Sequence, residues 1–309
     1  MHLENRSNNL IATLNVLVPL LLLVLGSVAG AASPPCGAIL ASYASATNPS
    51  VSVAAMSNEP NQFSKNDCQE PPGPYGDLYQ CVEFVRRFYS QALGVDTSPW
   101  APYNAVDYFT TPSLGLRPFE NGGSESPQPD DIVVFGRTAK DSAGHVAIVN
   151  AVTADHVYVI EQNWSLDGTA TLTRDAHNFV SRPNSALPVL GWMRRVNITG
   201  SWSVDISVTM DTFPNPIQAD HCVEQHVQSG ASIVSTGTCD VTGSFQLTGT
   251  IDLTTGAMSE SGTAQGCPAG VEITGMISPD NDSISGTWNN CTDGVHFATG
   301  TFVSSRTGP

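Results

Sequence analysis

Four polar residues in the chain have the types and spacings that thiol chemistry needs, and the first of them is Cys81. It stands in the stretch YQCVEFVRRFY, within an amphipathic pattern that predicts a helix over residues 78–93. A thiol at a helix N-terminus meets unpaired N–H groups and the positive end of the helix dipole, which favour the thiolate. Because the dipole contributes at most ~2 kcal/mol, a reactive thiol needs a second partner, usually a histidine. The ordinary alternative is a small buried hydrophobic side chain.

The candidate partner is His145, which opens a predicted strand over residues 145–152. A hairpin turn near residues 153–156 places Glu161 and Asn163 across from the start of that strand. A nucleophilic thiol, an imidazole base and an acid or amide that orients the imidazole are the parts of cysteine catalysis. The sequence therefore predicts that these side chains converge.

The same hairpin predicts which side chains share a face. Because side chains alternate along a strand, Glu161 and Asn163 are expected on one face, and Gln162 and Trp164 on the other. Each residue also has an ordinary interpretation. His145 is then a strand-end histidine and Glu161 an exposed strand residue, while Asn163 belongs to a turn or begins an Asn-Trp-Ser glycosylation sequon.

Length and composition limit the function classes. The chain has 309 residues, of which 40% are hydrophobic, which is enough for two domains with buried cores. Its 12 Lys and Arg against 28 Asp and Glu give a formal charge of −16. This charge repels phosphate backbones and anionic membrane surfaces, so we expect no nucleic-acid partner.

The N-terminal segment predicts export. A polar start, an uncharged apolar run over residues 11–32 and a small Ala-Gly-Ala ending follow the layout of a secretory signal, which we assign to residues 1–32. The alternative is an uncleaved anchor, since the run approaches the ~20 residues that span a bilayer. Pro19 and the small-residue ending favour cleavage, so we expect a secreted or cell-envelope protein with no stable membrane insertion.

The chain has seven cysteines, an odd number, and an exported chain forms disulfides. Cys36 and Cys68 can pair near the start. Four more can pair among themselves in three ways: Cys222, Cys239, Cys267 and Cys291. Cys81 is then left over, although parity alone does not select it.

The order of elements predicts two domains. Strands are expected at residues 51–56, 131–136, 145–152, 156–164 and 189–196. One helix followed by an antiparallel sheet is an α+β pattern, which we assign to residues 33–198. In residues 199–309, alternating strands and recurring turn glycines predict an all-β antiparallel barrel or sandwich held by two disulfides.

The strings YQCVEFVRRFY, DIVVF, GHVAIV and VIEQNW, in this order, resemble the CHAP family of cysteine, histidine-dependent amidohydrolases and peptidases over roughly residues 51–196. The resemblance implies a papain-like α+β fold, with Cys81 as nucleophile and His145 as general base and then acid. It further implies that Glu161 orients His145 and that Asn163 is another polar member of the site.

Within the family, QCVEFVRRF and the upstream VAAMSN are similar to the amidase half of glutathionylspermidine and trypanothione synthetase-amidases. Exported members of the family typically cut amide bonds in peptidoglycan, so the resemblance implies peptidoglycan or another peptide amide as substrate. Two alternatives stay open: glutathionylspermidine-type amides as substrate, or an inactive CHAP-like protein that binds cell surfaces or carbohydrate. The family's strand motif usually begins with glycine where this chain has Asp130, which affects a turn and not the site.

Other polar residues carry weaker expectations. We expect no metal and no organic cofactor, since the chain has no paired Cys-x-x-Cys. The alternative is a calcium ion at Asp67, Glu70 and Asp77, where loop carboxylates are more often solvated. Solvated or sheet-paired arginines are predicted at Arg86 and Arg87, and surface histidines at His221 and His226. The sequence does not predict the oligomeric state.

Overall fold

The computed structural model describes residues 34–58, 68, 70–100, 104–111, 114–139 and 141–308, so the predicted signal segment lies outside the described residues. Ser33–Pro309 form one compact unit. None of the helices in the described ranges is long and apolar enough to cross a bilayer.

Three disulfides cross-link the chain: Cys36–Cys68, Cys222–Cys239 and Cys267–Cys291. All seven cysteines are among the described residues, and Cys81 is the one that remains free. The structure thus confirms the predicted leftover cysteine and selects one of the three possible pairings in the last third of the chain. Three disulfides indicate an oxidising environment.

A two-stranded hairpin precedes the helix. Strands β1 (Ile39–Ala44) and β2 (Ser52–Met56) pair antiparallel. β2 confirms the short strand predicted at residues 51–56, whereas β1 was not predicted. Only Tyr43 of β1 is buried, so this strand lacks the apolar alternation by which a strand is recognised.

Seven strands form an antiparallel sheet in the order β3-β9-β4-β5-β6-β7-β8. They are β3 (Arg117–Glu120), β4 (Ile132–Phe135), β5 (His145–Val152), β6 (His156–Glu161), β7 (Thr169–Arg174), β8 (Val180–Ser181) and β9 (Val189–Arg194). β3, β7 and β8 were not predicted, because they are short or mostly exposed. The strand predicted at residues 156–164 ends at Glu161, and Asn163 adopts a left-handed φ of 60°.

Helix α1 (Cys81–Leu93) packs against β2 and β5. Its apolar stripe, which includes Phe84, Val85 and Phe88, is fully buried. The helix ends at Gly94, whose φ of 65° is the left-handed conformation that glycine adopts most readily at a helix C-terminus. A 3₁₀ helix at Ala105–Thr110 contacts β4, β5 and β9.

The predicted α+β class holds only in part for residues 33–198. α1 is the one α-helix among the described residues, and strands form most of the regular structure. The hydrophobic residues of α1 and the inner face of the sheet make one core, which positions the start of α1 beside the start of β5 and the end of β6.

Eight strands in the last third of the chain form a closed antiparallel barrel, which decides between the predicted barrel and sandwich. They are β10 (Gly200–Asp211), β11 (Ala219–Ser229), β12 (Ser232–Cys239), β13 (Gly243–Ile251), β14 (Ala257–Ala264), β15 (Cys267–Ile277), β16 (Ser283–Thr292) and β17 (Phe297–Gly308). Pairing of β10 with β17 closes the barrel. Closure removes the exposed sheet edges that a sandwich leaves.

One end of the barrel packs against the seven-stranded sheet. Arg194 of β9 forms a buried ion pair with Asp131 at 2.7 Å and donates to the carbonyl of Pro279, between β15 and β16, at 2.8 Å. Arg117 of β3 donates to the carbonyl of Ile277 at 3.3 Å. The opposite end of the barrel therefore faces away from the sheet.

Candidate active site

The Cys81 thiol lies at the first residue of α1 and is partly exposed. The preceding residue, Gln80, caps the helix in an extended conformation. The first N–H groups of a helix have no acceptor within it, so positive potential concentrates around the thiol. This is the position that the sequence predicted for a reactive cysteine.

The His145 imidazole is buried and hydrogen-bonds to both Cys81 and Glu161. Its Nε2 lies 3.0 Å from Oε2 of Glu161, which leaves Nδ1 for the thiol. The ring lies between Phe135 and Trp164, at centroid distances of 5.5 and 4.8 Å. Burial opposes the charged form, but the hydrogen bonds and charges of Cys81 and Glu161 outweigh it and raise the pKa of His145 to about 9. The surroundings of the ring therefore favour the imidazolium.

Glu161 is fully buried, which corrects its alternative interpretation as an exposed strand residue. Its two oxygens each accept a hydrogen bond of 2.6 Å from Arg182. Burial raises the pKa of this carboxyl, but the hydrogen bonds and charges of Arg182 and His145 outweigh burial and lower the pKa to about 2. Glu161 is thus a permanent anion that faces the imidazole.

Arg182 is the site residue that the sequence analysis missed. It follows β8, and its guanidinium also lies over the ring of Trp164, 5.2 Å from the centroid. A bidentate pair with Glu161 and an aromatic face beneath it suit arginine and not lysine. No local pattern marks this arginine, because its partner lies 21 positions earlier in the chain.

Asn163 lies in the site but beside Gln80 and Asn58. Its Nδ2 donates to Oε1 of Gln80 at 2.8 Å, and its Oδ1 accepts from Nδ2 of Asn58 at 3.0 Å. The side chain is buried, which does not suit the alternative of a surface glycan acceptor. Asn163 therefore connects Gln80, the residue before Cys81, to Asn58, which follows β2.

The predicted alternation of faces is wrong beyond Glu161. Trp164 was placed on the face away from His145, yet its ring contacts the imidazole. Gln162 was placed with it, but Gln162 donates to the carbonyl of Gln80 at 2.9 Å. The reason is that β6 ends at Glu161, so strand alternation no longer applies to the following residues.

Gln162 joins a buried polar network that fixes the start of α1. Its Nε2 donates to Glu83 at 2.8 Å, and its Oε1 accepts from Arg87 at 3.1 Å. Arg87 forms an ion pair with Glu83 at 2.7 Å and donates to the carbonyl of Ala54 in β2 at 2.8 Å. Of the two predicted alternatives for Arg87, contact with the neighbouring sheet fits and solvation does not. Arg86 is also partly buried and donates to the carbonyl of Thr97 at 3.2 Å. The network ties the helix that carries the thiol to the end of β6.

Asp130 has the effect expected of a turn residue. Its φ of 74° lies in the left-handed region, which glycine adopts most readily. Its carboxylate accepts hydrogen bonds from Tyr43 at 2.8 Å and Ser45 at 2.7 Å, and from the backbone N–H groups of Ala46 and Thr47. Asp130 thereby anchors the β1–β2 hairpin to the sheet.

The predicted calcium alternative involves Asp67, which lies outside the described residues. Among the described residues, one group of three potential metal ligands lies close together: Asp220, Cys222 and Cys239. Both sulfur atoms belong to one disulfide, and Asp220 accepts hydrogen bonds from Thr242 and the backbone. This group is therefore structural.

Part of the chain is similar to a known protein family. Residues 71–163 match the model of the CHAP domain. Trypanothione synthetase of Crithidia fasciculata is 27% identical over 121 residues, which cover 36% of this chain and 18% of that protein. Glutathionylspermidine synthase of the same organism is 33% identical over 115 residues, which cover 32% of this chain and 15% of that protein. The chain thus spans less than a fifth of the length of either relative.

Two solved structures are also similar, "The crystal structure of Ly7917" and "The crystal structure of Ly7917 with the hydrolyzing product of MDP". Each is 15% identical, with TM-scores of 0.25 and 0.28. The alignments cover 72% and 74% of this chain and 82% and 88% of those chains. The family match includes Cys81, His145, Glu161 and Asn163. Residues 71–163 are therefore similar to the CHAP domain, as their sequence motifs indicate.

Proposed function

We propose that this protein is a cysteine-dependent amidohydrolase or peptidase. A CHAP domain indicates hydrolase activity on amide bonds. The observation that carries the cysteine mechanism is the continuous hydrogen-bonded series from Cys81 through His145 to Glu161, backed by Arg182. These are the nucleophile, proton carrier and orienting anion of thiol catalysis.

His145 carries the proton at each step of the mechanism that we propose. It takes the proton of the Cys81 thiol and holds it as the imidazolium, the form that its raised pKa of about 9 favours. The Cys81 sulfur attacks the amide carbonyl carbon, and the C–N bond breaks as His145 gives its proton to the leaving nitrogen. The thioester then reacts with water, which gives a proton to His145 as the C–S bond breaks. His145 therefore acts as base toward the thiol, as acid toward the leaving nitrogen and again as base toward water, in line with the roles that the resemblance implies.

The surrounding groups stabilise this sequence of charges. Glu161 holds the imidazole in one orientation and favours its protonated form, while Arg182 fixes Glu161. Phe135 and Trp164 cover the ring and exclude water from it. The free N–H groups at the start of α1 lie beside the thiol and suit the oxyanion that forms during attack.

For the substrate we propose an amide bond of peptidoglycan, cut by an exported enzyme whose N-terminal domain has the papain-like arrangement of the family. Three disulfides support an oxidising location. A second candidate is a glutathionylspermidine-type amide. It is supported by the 33% identity to glutathionylspermidine synthase and by the charge of −16, which attracts a polyamine cation.

The test is hydrolysis of purified peptidoglycan and of glutathionylspermidine by residues 33–309, with released amines identified by mass spectrometry. Cys81→Ala and His145→Ala should abolish release. His177→Ala, an exposed histidine of the same domain, is the matched control and should leave it unchanged. Release that persists in Cys81→Ala contradicts the thiol mechanism. Absence of release from either substrate favours the third hypothesis, a binding protein built on an inactive CHAP domain.

A further inference from the structure

The closed barrel encloses a cavity of about 360 Å³ that is separate from the thiol site. Its wall is mostly apolar and includes Val204, Ile206, Leu247, Met258, Ile273 and Phe302. An eight-stranded barrel has an interior wide enough for one small ligand, and ligand pockets begin at about 300 Å³. The cavity therefore has the size and the lining of a binding site.

The cavity opens at the barrel end that faces away from the sheet. The loop and turn residues in its lining are Phe213, Pro214, Asn215, Ile217, Thr242 and Gly266. All of them lie at the end opposite to the contacts that Arg117 and Arg194 make with the barrel. A ligand can thus enter without displacing the neighbouring domain.

A buried polar cluster lies inside the barrel, which corrects the prediction that His226 is a surface residue. His226 is 2% exposed. Its Nε2 lies 2.8 Å from Glu224, and its Nδ1 lies 2.5 Å from the Ser235 hydroxyl, which itself donates to Glu260. His226, Ser235, Glu224 and Glu260 thus form one hydrogen-bonded cluster that places two carboxyl groups inside the barrel.

One carboxylate faces the cavity with hydrogen-bonding capacity to spare. Glu260 pairs with Ile273, and Ile273 with Trp288, so Glu260 and Trp288 point into the barrel at one level. One oxygen of Glu260 accepts from Ser235, and no described residue donates to the other. The indole N–H of Trp288 is buried without a hydrogen-bond partner in the described part of the chain. A Cβ at Gly300 would lie 2.7 Å from this nitrogen, so glycine there leaves room for the indole.

We propose that the barrel binds an apolar amine whose protonated nitrogen pairs with Glu260. A cavity of about 150 Å³ holds benzene. In the same proportion, the barrel cavity of about 360 Å³ holds a ligand with about 14 non-hydrogen atoms. Burial raises the pKa of Glu260, although the Ser235 hydrogen bond and the charge of His226 oppose this effect. A cation beside the carboxylate offsets the cost of burying its negative charge.

The experiment is isothermal titration calorimetry of the full chain at pH 7 with three probes that share an apolar body: naphthylmethylamine, ethylnaphthalene and naphthylacetate. The amine should bind at one site, about tenfold or more tighter than the hydrocarbon. Glu260→Gln should reduce the affinity for the amine to that for the hydrocarbon. The matched control is Glu272→Gln, an exposed carboxylate on the outside of the same barrel, which should change nothing.

Two further variants separate this site from the thiol and from folding defects. Cys81→Ala should bind the amine as the native chain does, so the result does not depend on the proposed hydrolase activity. Ala264→Phe, which fills part of the cavity, should abolish binding while circular dichroism shows an intact barrel. Equal affinity for the amine and the hydrocarbon overturns the assignment to Glu260. No binding of the amine to the folded native chain overturns the proposal.

Discussion

Replacing Glu161 by glutamine should lower the pKa of His145 and slow the reaction of Cys81. In the native site this pKa is raised from 6.5 to about 9, which corresponds to ~3 kcal/mol in favour of the imidazolium. Glu161 contributes a hydrogen bond and a charge to that preference, and Cys81 contributes the others. Removal of the Glu161 charge should therefore lower the pKa of His145 by at least ~1.

The assay is alkylation of Cys81 by iodoacetamide as a function of pH, which needs no substrate. Cys81 is the free cysteine among seven, so mass spectrometry of the label reports on it alone. In the native protein the alkylation rate should stay high through neutral pH. The rate should change near pH 9, where the imidazolium of His145 loses its proton. In Glu161→Gln this change should move down by at least ~1 pH unit, and the rate at neutral pH should fall.

A control is needed because the substitution also leaves Arg182 as a mostly buried cation without its carboxylate. Breaking such a pair costs roughly 3–5 kcal/mol of stability. The double variant Glu161→Gln/Arg182→Met removes both charges. Its urea midpoint of unfolding should recover most of the native value, while the pH at which its alkylation rate changes should stay as low as in Glu161→Gln. If the alkylation rate of both variants changes near the same pH as that of the native protein, Glu161 does not set the protonation of His145 and the reasoning is refuted.

Three further predictions concern stability. The pKa of Glu161 is about 2 in the folded protein against an ordinary 4.5. Its charge therefore contributes ~3 kcal/mol to the free energy of unfolding, which is present above pH 4.5 and lost as pH falls towards 2. Urea unfolding of the native protein should show this loss, and that of Glu161→Gln should not. Serine at both Cys222 and Cys239, 17 positions apart, should lower the unfolding free energy by about 3 kcal/mol and leave thiol alkylation unchanged. Asp130→Gly relieves a φ of 74° but loses the hydrogen bonds to the β1–β2 hairpin, so Tm should fall, and a rise in Tm would contradict that role.

The core of the candidate site could be predicted from sequence because it depends on local rules. A helix start at Cys81 and a hairpin that joins His145 to Glu161 follow from periodicity and turn position, and the structure brings these residues together. Arg182 could not be predicted, since it reaches Glu161 from a segment beyond two further strands. Gln162 was assigned to the wrong face because the end of β6 depends on tertiary contacts with α1.

The barrel shows the same limit at larger scale. Alternating residues identify the individual strands of residues 199–309, but barrel and sandwich share this alternation. The difference is the pairing of β10 with β17, which joins the two ends of the domain. His226 was misassigned for a related reason. No sequence pattern tells whether a histidine near a disulfide faces the solvent or the core. Closure of the barrel places the face that carries His226 on the inside.

The distribution of ion pairs bears on the class of substrate. Three of the 12 Lys and Arg are committed to buried carboxylates within the sheet domain: Arg87–Glu83, Arg182–Glu161 and Arg194–Asp131. Because each pair is neutral, the formal charge of −16 belongs to the rest of the molecule, which has few cations left to balance it. Such a field concentrates cations near the surface and repels polyanions. An amide substrate that carries free amino groups is therefore favoured at the thiol site, and the same field favours an amine in the barrel.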